Sequence, residues 1–315
     1  MILLYSTNMT NFIVTTTIFN PSIAVKKFSK IDNWHLIIVG DLKTPHNKYL
    51  KMKNITYLTP DMQKKIAPKL SNLIGWNCIQ RRNIGYIYAK KNGANLIASV
   101  DDDNIPYKHW GKKIYLNRKI LSKTYKSNLP VFDPLSVFKF KSKIWHRGFP
   151  LQLLQEKVRL KKITKTINAD IQANLWDKNP DIDAINRMTL KNENFKFKNI
   201  GHYNSDVPAP FNSQNTIFNS DVISNYFLFP FVGRMDDIWA SYYVQSLGYK
   251  VLFCEATVYQ DRNEHSHYKD FQGEIIGYKN NLNLISKLKE NPNFIKKFLP
   301  ERSYLAFREY LKIMN

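Results

Sequence analysis

A chain of 315 residues with 43% hydrophobic and 14% aromatic content can bury a sizeable core, which excludes a disordered chain and predicts one large domain with appendages. Lys and Arg outnumber Asp and Glu by 47 to 25, a formal charge of +22, but the lysines are scattered in pairs such as Lys26-Lys27 and Lys112-Lys113, with no arginine-rich block. That pattern predicts a solvated basic surface and no specific nucleic-acid partner.

The opening Met1-Ile2-Leu3-Leu4 turns polar at once, and the most apolar stretch, residues 226–232, is short and broken by Pro230. Neither a signal peptide nor a transmembrane segment is expected. Two cysteines, Cys78 and Cys254, form no disulfide framework or zinc spacing and point to the cytoplasm. Residues 12–19, rich in β-branched and aromatic side chains, predict a first strand. Asn20-Pro21 then supplies an N-cap and first-turn proline for a helix to about residue 31. Strands are expected at 35–39 and 55–58, a helix at 59–67, and a longer helix at 76–91 stopped by Asn92-Gly93. Residues 95–100 read as a central strand running into Asp101-Asp102-Asp103. This alternation predicts an α/β fold with a mostly parallel, Rossmann-like sheet flanked by helices. Residues 104–213 read as loop-rich, with a short helix at 169–176. A helix at 234–247, a strand at 250–259 and a helical end from about 271 follow, with Tyr304, Phe307 and Leu311 on one face. The expected organisation is a catalytic domain of residues 1–270 carrying a helical extension of residues 271–315.

Ligands bind open α/β sheets beyond the carboxyl ends of strands. Three carboxylates there repel one another unless a cation is present, and alternation sends Asp101 and Asp103 to one side, within reach of one ion. Hard oxygen donors suit Mg²⁺ or Mn²⁺, which bridge phosphate oxygens. An acidic turn capping the next element explains the triplet equally well in isolation. Upstream, Arg81-Arg82 open the preceding helix and can face a diphosphate, while Gly85 permits close packing of that helix on the sheet. Downstream, no lysine occurs between Lys198 and Lys250, so a core or a site dictates this stretch, which contains Gly233-Arg234-Met235-Asp236-Asp237. Asp236-Asp237 reads either as helix-dipole complementation or as a carboxylate pair beside a sugar. Trp145, Trp176 and Trp239 read as core, with Trp239 also a candidate sugar platform, and Cys78 as packing.

Arg82-Asn83-Ile84-Gly85, a strand and the acidic triplet together resemble the nucleotide-binding half of GT-A glycosyltransferases. The run Trp34-His35-Leu36-Ile37-Ile38-Val39-Gly40-Asp41-Leu42-Lys43-Thr44-Pro45, with Arg81 to Tyr86 and Asp103-Asn104, resembles the glycosyltransferase-like domain of plant STELLO proteins. Downstream, Arg147-Gly148-Phe149-Pro150, Asn174-Leu175-Trp176, Pro180-Asp181-Ile182-Asp183-Ala184 and Gly233 to Ala240 resemble the reversibly glycosylated polypeptides, which are UDP-arabinopyranose mutases. The two resemblances cover roughly residues 12–280. They imply Asp101 and Asp103 on Mn²⁺ or Mg²⁺, with Asp101, Asp102, Arg81 and Arg82 around the nucleotide. They also imply Asp236 and Asp237 near the sugar, and Arg147 at the position of the arginine that becomes glycosylated. The mutases carry a His after the late strand where this chain has Gln260, so a third ligand is expected from His265, His267 or water.

The function these features predict is metal-dependent transfer from a nucleoside-diphosphate sugar, a UDP-sugar by resemblance, to a glycan, lipid or protein acceptor. The alternatives are a UDP-sugar mutase acting through self-glycosylation of Arg147, a non-catalytic scaffold, and a nucleic-acid-binding protein. The geometric expectation is that Asp101, Asp103, Arg82, Arg147 and Asp237 converge on one cleft at the carboxyl edge of the sheet.

Overall fold

The computed structural model describes residues 11–190, 194–260 and 266–315. Its N-terminal half is built from β-α-β units: β1 (Asn11–Thr17), α1 (Ile23–Phe28), β2 (His35–Gly40), α2 (His46–Leu50) and β3 (Ile55–Leu58). Two short helices, α3 (Pro60–Ile66) and α4 (Pro68–Ile74), then lead to α5 (Arg82–Lys91) and β4 (Leu96–Val100). Strands β3, β2, β1 and β4 pair in parallel in that order. The register aligns Val14 with Ile37 and Ser99, so the carboxyl ends of β1, β2 and β4 reach one edge together.

Alternation along these strands divides the core between two faces. Val14, Ile37, Val39 and Ile97 pack toward α5, whereas Ile13, Leu36, Ile38 and Ala98 pack toward α1. Gly85 is where α5 lies closest to the sheet: a Cβ there would stand 2.4 Å from Val14 Cγ1 and 2.7 Å from Val39 Cγ2. The close packing expected of this glycine is therefore present.

Three local expectations are corrected. Helix α1 is capped by Ser22, whose Oγ accepts from the Val25 N–H; Asn20-Pro21 precede the cap. The helix expected from residue 76 begins only at Arg82, because Asn77 adopts φ 58° and residues 79–81 form a single 3-10 turn. Residues 169–176 are not a helix: they contribute most of a strand, β8, whose seven residues are all buried. Between two neighbouring strands, burial on both faces overrides the modest helix preference of its Ala, Gln and Leu.

The region read as loop-rich holds most of the second half of the sheet. It contains β5 (Asn104–Pro106), a long hairpin of β6 (Lys119–Ser127) and β7 (Leu160–Asn168), then β8 (Ile171–Asp177), α6 (Ala184–Thr189) and β9 (Tyr203–Ser205). After it come β10 (Asn215–Asn219), α7 (Ser220–Ile223), α8 (Asp236–Ser246) and β11 (Val251–Gln260). The sheet runs β3-β2-β1-β4-β10-β8-β11-β9-β6-β7, with β5 paired antiparallel to β11. Strand β10 lies antiparallel between β4 and β8, and β8 and β11 are parallel, so β4, β8 and β11 all run the same way.

The chain ends in α9 (His267–Glu290) and α10 (Glu301–Met314). The boundary expected at residue 270 falls inside α9, whose Asp270 and Glu274 bond Arg234 and whose Asn281 accepts from Trp239 Nε1 at 2.8 Å. Phe307 of α10 is buried against Phe227, Phe229 and Tyr243, with Tyr304 and Leu311 half-buried beside the core. Among the described residues no helix is long and apolar enough to cross a membrane.

Candidate functional site

The acidic triplet leaves the carboxyl end of β4, and each of its carboxylates is held differently. Asp101 Oδ1 accepts from Arg82 Nη2 at 2.7 Å. Asp102 accepts from the Thr17 hydroxyl at the end of β1, and its carbonyl accepts from Ser22. Asp103 Oδ2 accepts from Gln260 Nε2 at 3.1 Å, at the end of β11. Burial raises the pKa of Asp102 above the ordinary carboxylate value, with the neighbouring Asp101 adding to the effect. Thr17 is fixed in turn by the loop after β2, where the Thr44 hydroxyl donates to the Thr17 carbonyl at 2.6 Å. In that loop Asp41 takes the backbone N–H groups of Leu42 and Cys78.

These groups line a cleft of about 260 Å³ with Arg147, Ser213, Gln214, Arg234, Asp236 and Asp237. All five residues expected to converge, drawn from about half the length of the chain, border this one space. Two larger hollows, near β7 and in the 133–158 loop, contain none of the triplet.

The paired arginines diverge completely. Arg81 is fully buried and does not line the cleft: its guanidinium donates to Gln63 Oε1, Ser71 and the Gly75 carbonyl, and it stacks on Trp76 at 3.7 Å. The expectation that Arg81 faces a nucleotide is therefore corrected, since the 3-10 turn points it into the α3–α4 junction. Arg82 does reach the cleft but is 1% exposed, and its Nη groups donate to Asp101, Ser99 and Ser213. Burial alone would lower its pKa, but the charge of Asp101 more than offsets this, so the guanidinium stays protonated. Its direct partner is the triplet.

The opposite wall is a buried ion network. Arg147 Nε donates to both oxygens of Asp181 at 2.8 Å, Nη1 donates to the Arg234 carbonyl, and Nη2 bonds Asp237 at 3.1 Å. Gly148, at φ 91°, lets this turn press against Ile238, 2.3 Å from where a Cβ would sit. Asp181, fully buried, would have its pKa raised by desolvation, but the charge of Arg147 overrides this and holds the carboxyl well below its usual range. Asp237 also accepts from the Ser213 backbone N–H at 3.0 Å. Arg234, partly exposed, donates to Glu274 and Asp270 at 2.9 Å each. Asp236, at the first position of α8, accepts from Gln80 at 2.8 Å. Burial, reinforced by the charge of Asp237, pushes its carboxyl up to about 7.

Arg234, Asp181, Ser213 and Gln214 went without a role in the sequence reading. Arg234 was legible only as part of its motif, and Asp181 only as the carboxylate that a buried arginine demands. Trp239 is completely buried between α8 and α9, which removes it as a sugar platform. His267 is exposed at the start of α9 and does not line the cleft, and His265 lies outside the described residues. Burial raises the Cys78 thiol to about 11, consistent with packing and not nucleophilic use.

A divalent cation can be tested against these groups. Among the described residues the lining carries five carboxylates against three guanidinium groups, a balance that disfavours a diphosphate on its own. The cleft's lining has oxygen donors and, among the described residues, no His or Cys, which is the chemistry of Mg²⁺ or Mn²⁺. Among the described residues no group of three or more His, Cys, Asp or Glu side chains is placed to hold a metal ion, so carboxylates alone would supply at most two of its ligands. A hard ion that keeps open positions for phosphate and water fits such a site.

No known protein-family profile matches the chain. It is similar to two curated proteins of Arabidopsis thaliana, "Probable glycosyltransferase STELLO1" at 26% identity over 256 residues, and "Probable glycosyltransferase STELLO2" at 25% over 284 residues. The alignments cover 75% and 82% of this chain but 33% and 37% of those proteins, so the chain spans about a third of the length of the curated relatives it matches.

Proposed function

We propose that the chain is a glycosyltransferase that uses a nucleoside-diphosphate sugar, with a UDP-sugar as the first donor to test, and a divalent Mn²⁺ or Mg²⁺ at the acidic triplet. The observation that carries this reading is the single cleft at the carboxyl edge of the sheet, lined by Asp101, Asp102, Asp103, Asp236 and Asp237 together with Arg82, Arg147 and Arg234. Similarity to proteins named as probable glycosyltransferases supports the reaction class.

Asp101 and Asp103 would hold the cation. When bound, it would neutralise charge on the departing diphosphate. Arg82 is a positioning residue: it fixes Asp101 and keeps one triplet carboxylate balanced before any ligand arrives. Arg234 is the cation of the far wall with the most exposure, and the N-terminal end of α8 adds its partial positive charge to the same space. Asp237 is held by Arg147 and Ser213, which suits it to orient a sugar hydroxyl. Asp236, held near neutral pKa by burial, is the better general base to take a proton from the acceptor hydroxyl.

The mutase alternative requires an unprotonated Arg147 nitrogen free to attack the sugar. Arg147 is instead buried with its Nε and both Nη groups donated, and its pKa lies well above normal because Asp181 and Asp237 outweigh the opposing effect of burial. Transfer to a separate acceptor is the reading we retain. Calorimetry with UDP and Mn²⁺ tests it: the native chain is expected to bind UDP only with the cation present, and Asp103→Ala to bind neither well. Absence of UDP binding, or equal binding by Asp103→Ala, would sink the proposal.

A further inference from the structure

The site has a second set of oxygens that its hydrogen bonds leave unused. Strand β11 ends at Gln260, which is paired in register with Asn104, the residue immediately after the triplet. Gln260 is 2% exposed, and its Nε2 is committed to Asp103. Its Oε1 is shielded from solvent and has no donor among the described residues. Gln214, 7% exposed, approaches from the other side, its backbone carbonyl accepting from the Asp101 N–H at 3.2 Å and from Asn104 Nδ2 at 2.9 Å. The side-chain Oε1 of Gln214 and the Oδ1 of Asn104 are likewise buried without a donor. Gln214 and Gln260 both line the cleft with the triplet.

Buried amide oxygens are ordinarily satisfied, and leaving one unpaired is costly. Three such oxygens lie around one acidic turn, two of them on residues of a cleft whose described lining has no histidine or cysteine, and a hard cation would satisfy oxygens of this kind. Glutamine carbonyls are established types of ligand for such ions.

Resting on the metal-dependent reading above, we propose that Gln260 and Gln214 supply amide-oxygen ligands to the cation at Asp101 and Asp103, so that its donors among the described residues are all hard oxygens of the kind that suit Mg²⁺ and Mn²⁺. The arrangement also gives Gln260 two tasks at once. Its NH₂ holds Asp103 in place while its carbonyl meets the ion.

The test follows free Mn²⁺ by its electron paramagnetic resonance signal as the full chain is titrated in the presence of UDP, with Mg²⁺ and Zn²⁺ as competitors. Wild type is expected to bind Mn²⁺ and to yield it readily to Mg²⁺. Gln260→Leu is expected to weaken Mn²⁺ binding by about 10-fold or more, with Gln214→Leu weaker than wild type as well. Gln260→His, which introduces an imidazole, is expected to move the competition toward Zn²⁺. Gln260→Glu keeps the shape and adds charge, and is expected to bind Mn²⁺ more tightly, which guards against a leucine variant that simply misfolds. If Gln260→Leu and Gln260→Glu both bind Mn²⁺ as wild type does while Asp103→Ala loses it, the assignment of Gln260 is overturned and the metal-dependent reading stands. If wild type itself takes up no Mn²⁺ with UDP, both fall together.

Discussion

The two walls of the cleft solve the same electrostatic problem in opposite ways. On the β4 wall Asp101 is met by the Arg82 guanidinium, Asp102 by the Thr17 hydroxyl, and Asp103 by the Gln260 amide among its partners. On the α8 wall Asp181 and Asp237 share Arg147, while Asp270 and Glu274 are met by Arg234. The α8 wall meets its acids with two guanidinium groups of its own; on the proposed reading the β4 wall is the one that receives a metal ion. The difference teaches that a conspicuous cluster of acids is not by itself informative. What matters is whether the fold has already balanced it.

The largest effect is expected on the α8 wall. Arg147→Ala takes the nearest cation from two buried carboxylates, leaving Asp181 with Asn212 and the more distant Arg234 and Asp237 with Ser213, and the variant should lose about 3–5 kcal/mol in a denaturant titration. A native-like midpoint would show that the network carries no weight. Gly148→Ala attacks the same wall through the backbone, forcing a side chain onto φ 91° and into Ile238, and a smaller loss of about 1–3 kcal/mol is expected in the same titration.

Asp236 separates stability from chemistry. Its carboxyl holds its proton to about pH 7 in the folded state, against an ordinary value of 3.8. The folded state therefore binds the extra proton, so this contribution to stability is full below the ordinary value, is lost as pH rises through about 7, and is flat above. The groups acting on it are Asp237, Arg147, Gln80 and, more distantly, Tyr226. Asp236→Asn should remove this slope, of up to about 1.4 kcal/mol per pH unit, from thermal melts taken across that range. It should also remove a rise in transfer rate through the same pH window; a variant that keeps that rise would disqualify Asp236 as the base. On the β4 wall the expected effect is on binding: in Asp103→Asn metal-dependent UDP binding should disappear in calorimetry.

Legibility in the sequence followed the same division. The triplet could be found because an apolar strand runs straight into it, and Gly85 because a helix against a sheet needs a small residue. Arg81 and Arg82 were both expected to face a nucleotide, with Arg82 alone expected in the convergent cluster, yet one 3-10 turn sends them to opposite surroundings, and nothing in the residue types foretells it. The β6–β7 hairpin was hidden for a different reason. Strands such as Leu160–Asn168 are largely solvent-facing, so lysine replaces the alternation that betrays a half-buried strand. Strand β8 was misread as a helix because it is buried on both faces and so has no alternation to show. The amide oxygens at Gln214 and Gln260 were invisible because an unmet hydrogen bond is a property of the packed chain, not of a residue type.

Strand β10, seated antiparallel between β4 and β8, also governs the order in which the molecule assembles. The first four strands pair through nearby segments of chain and can assemble as soon as they leave the ribosome. Their open edge on β4 has no partner until residues 215–219 have been made, more than a hundred residues later. During synthesis the nascent chain therefore carries an unpaired, fully buried-type strand, the kind of edge that recruits other chains. The acidic turn sits at the end of that same strand.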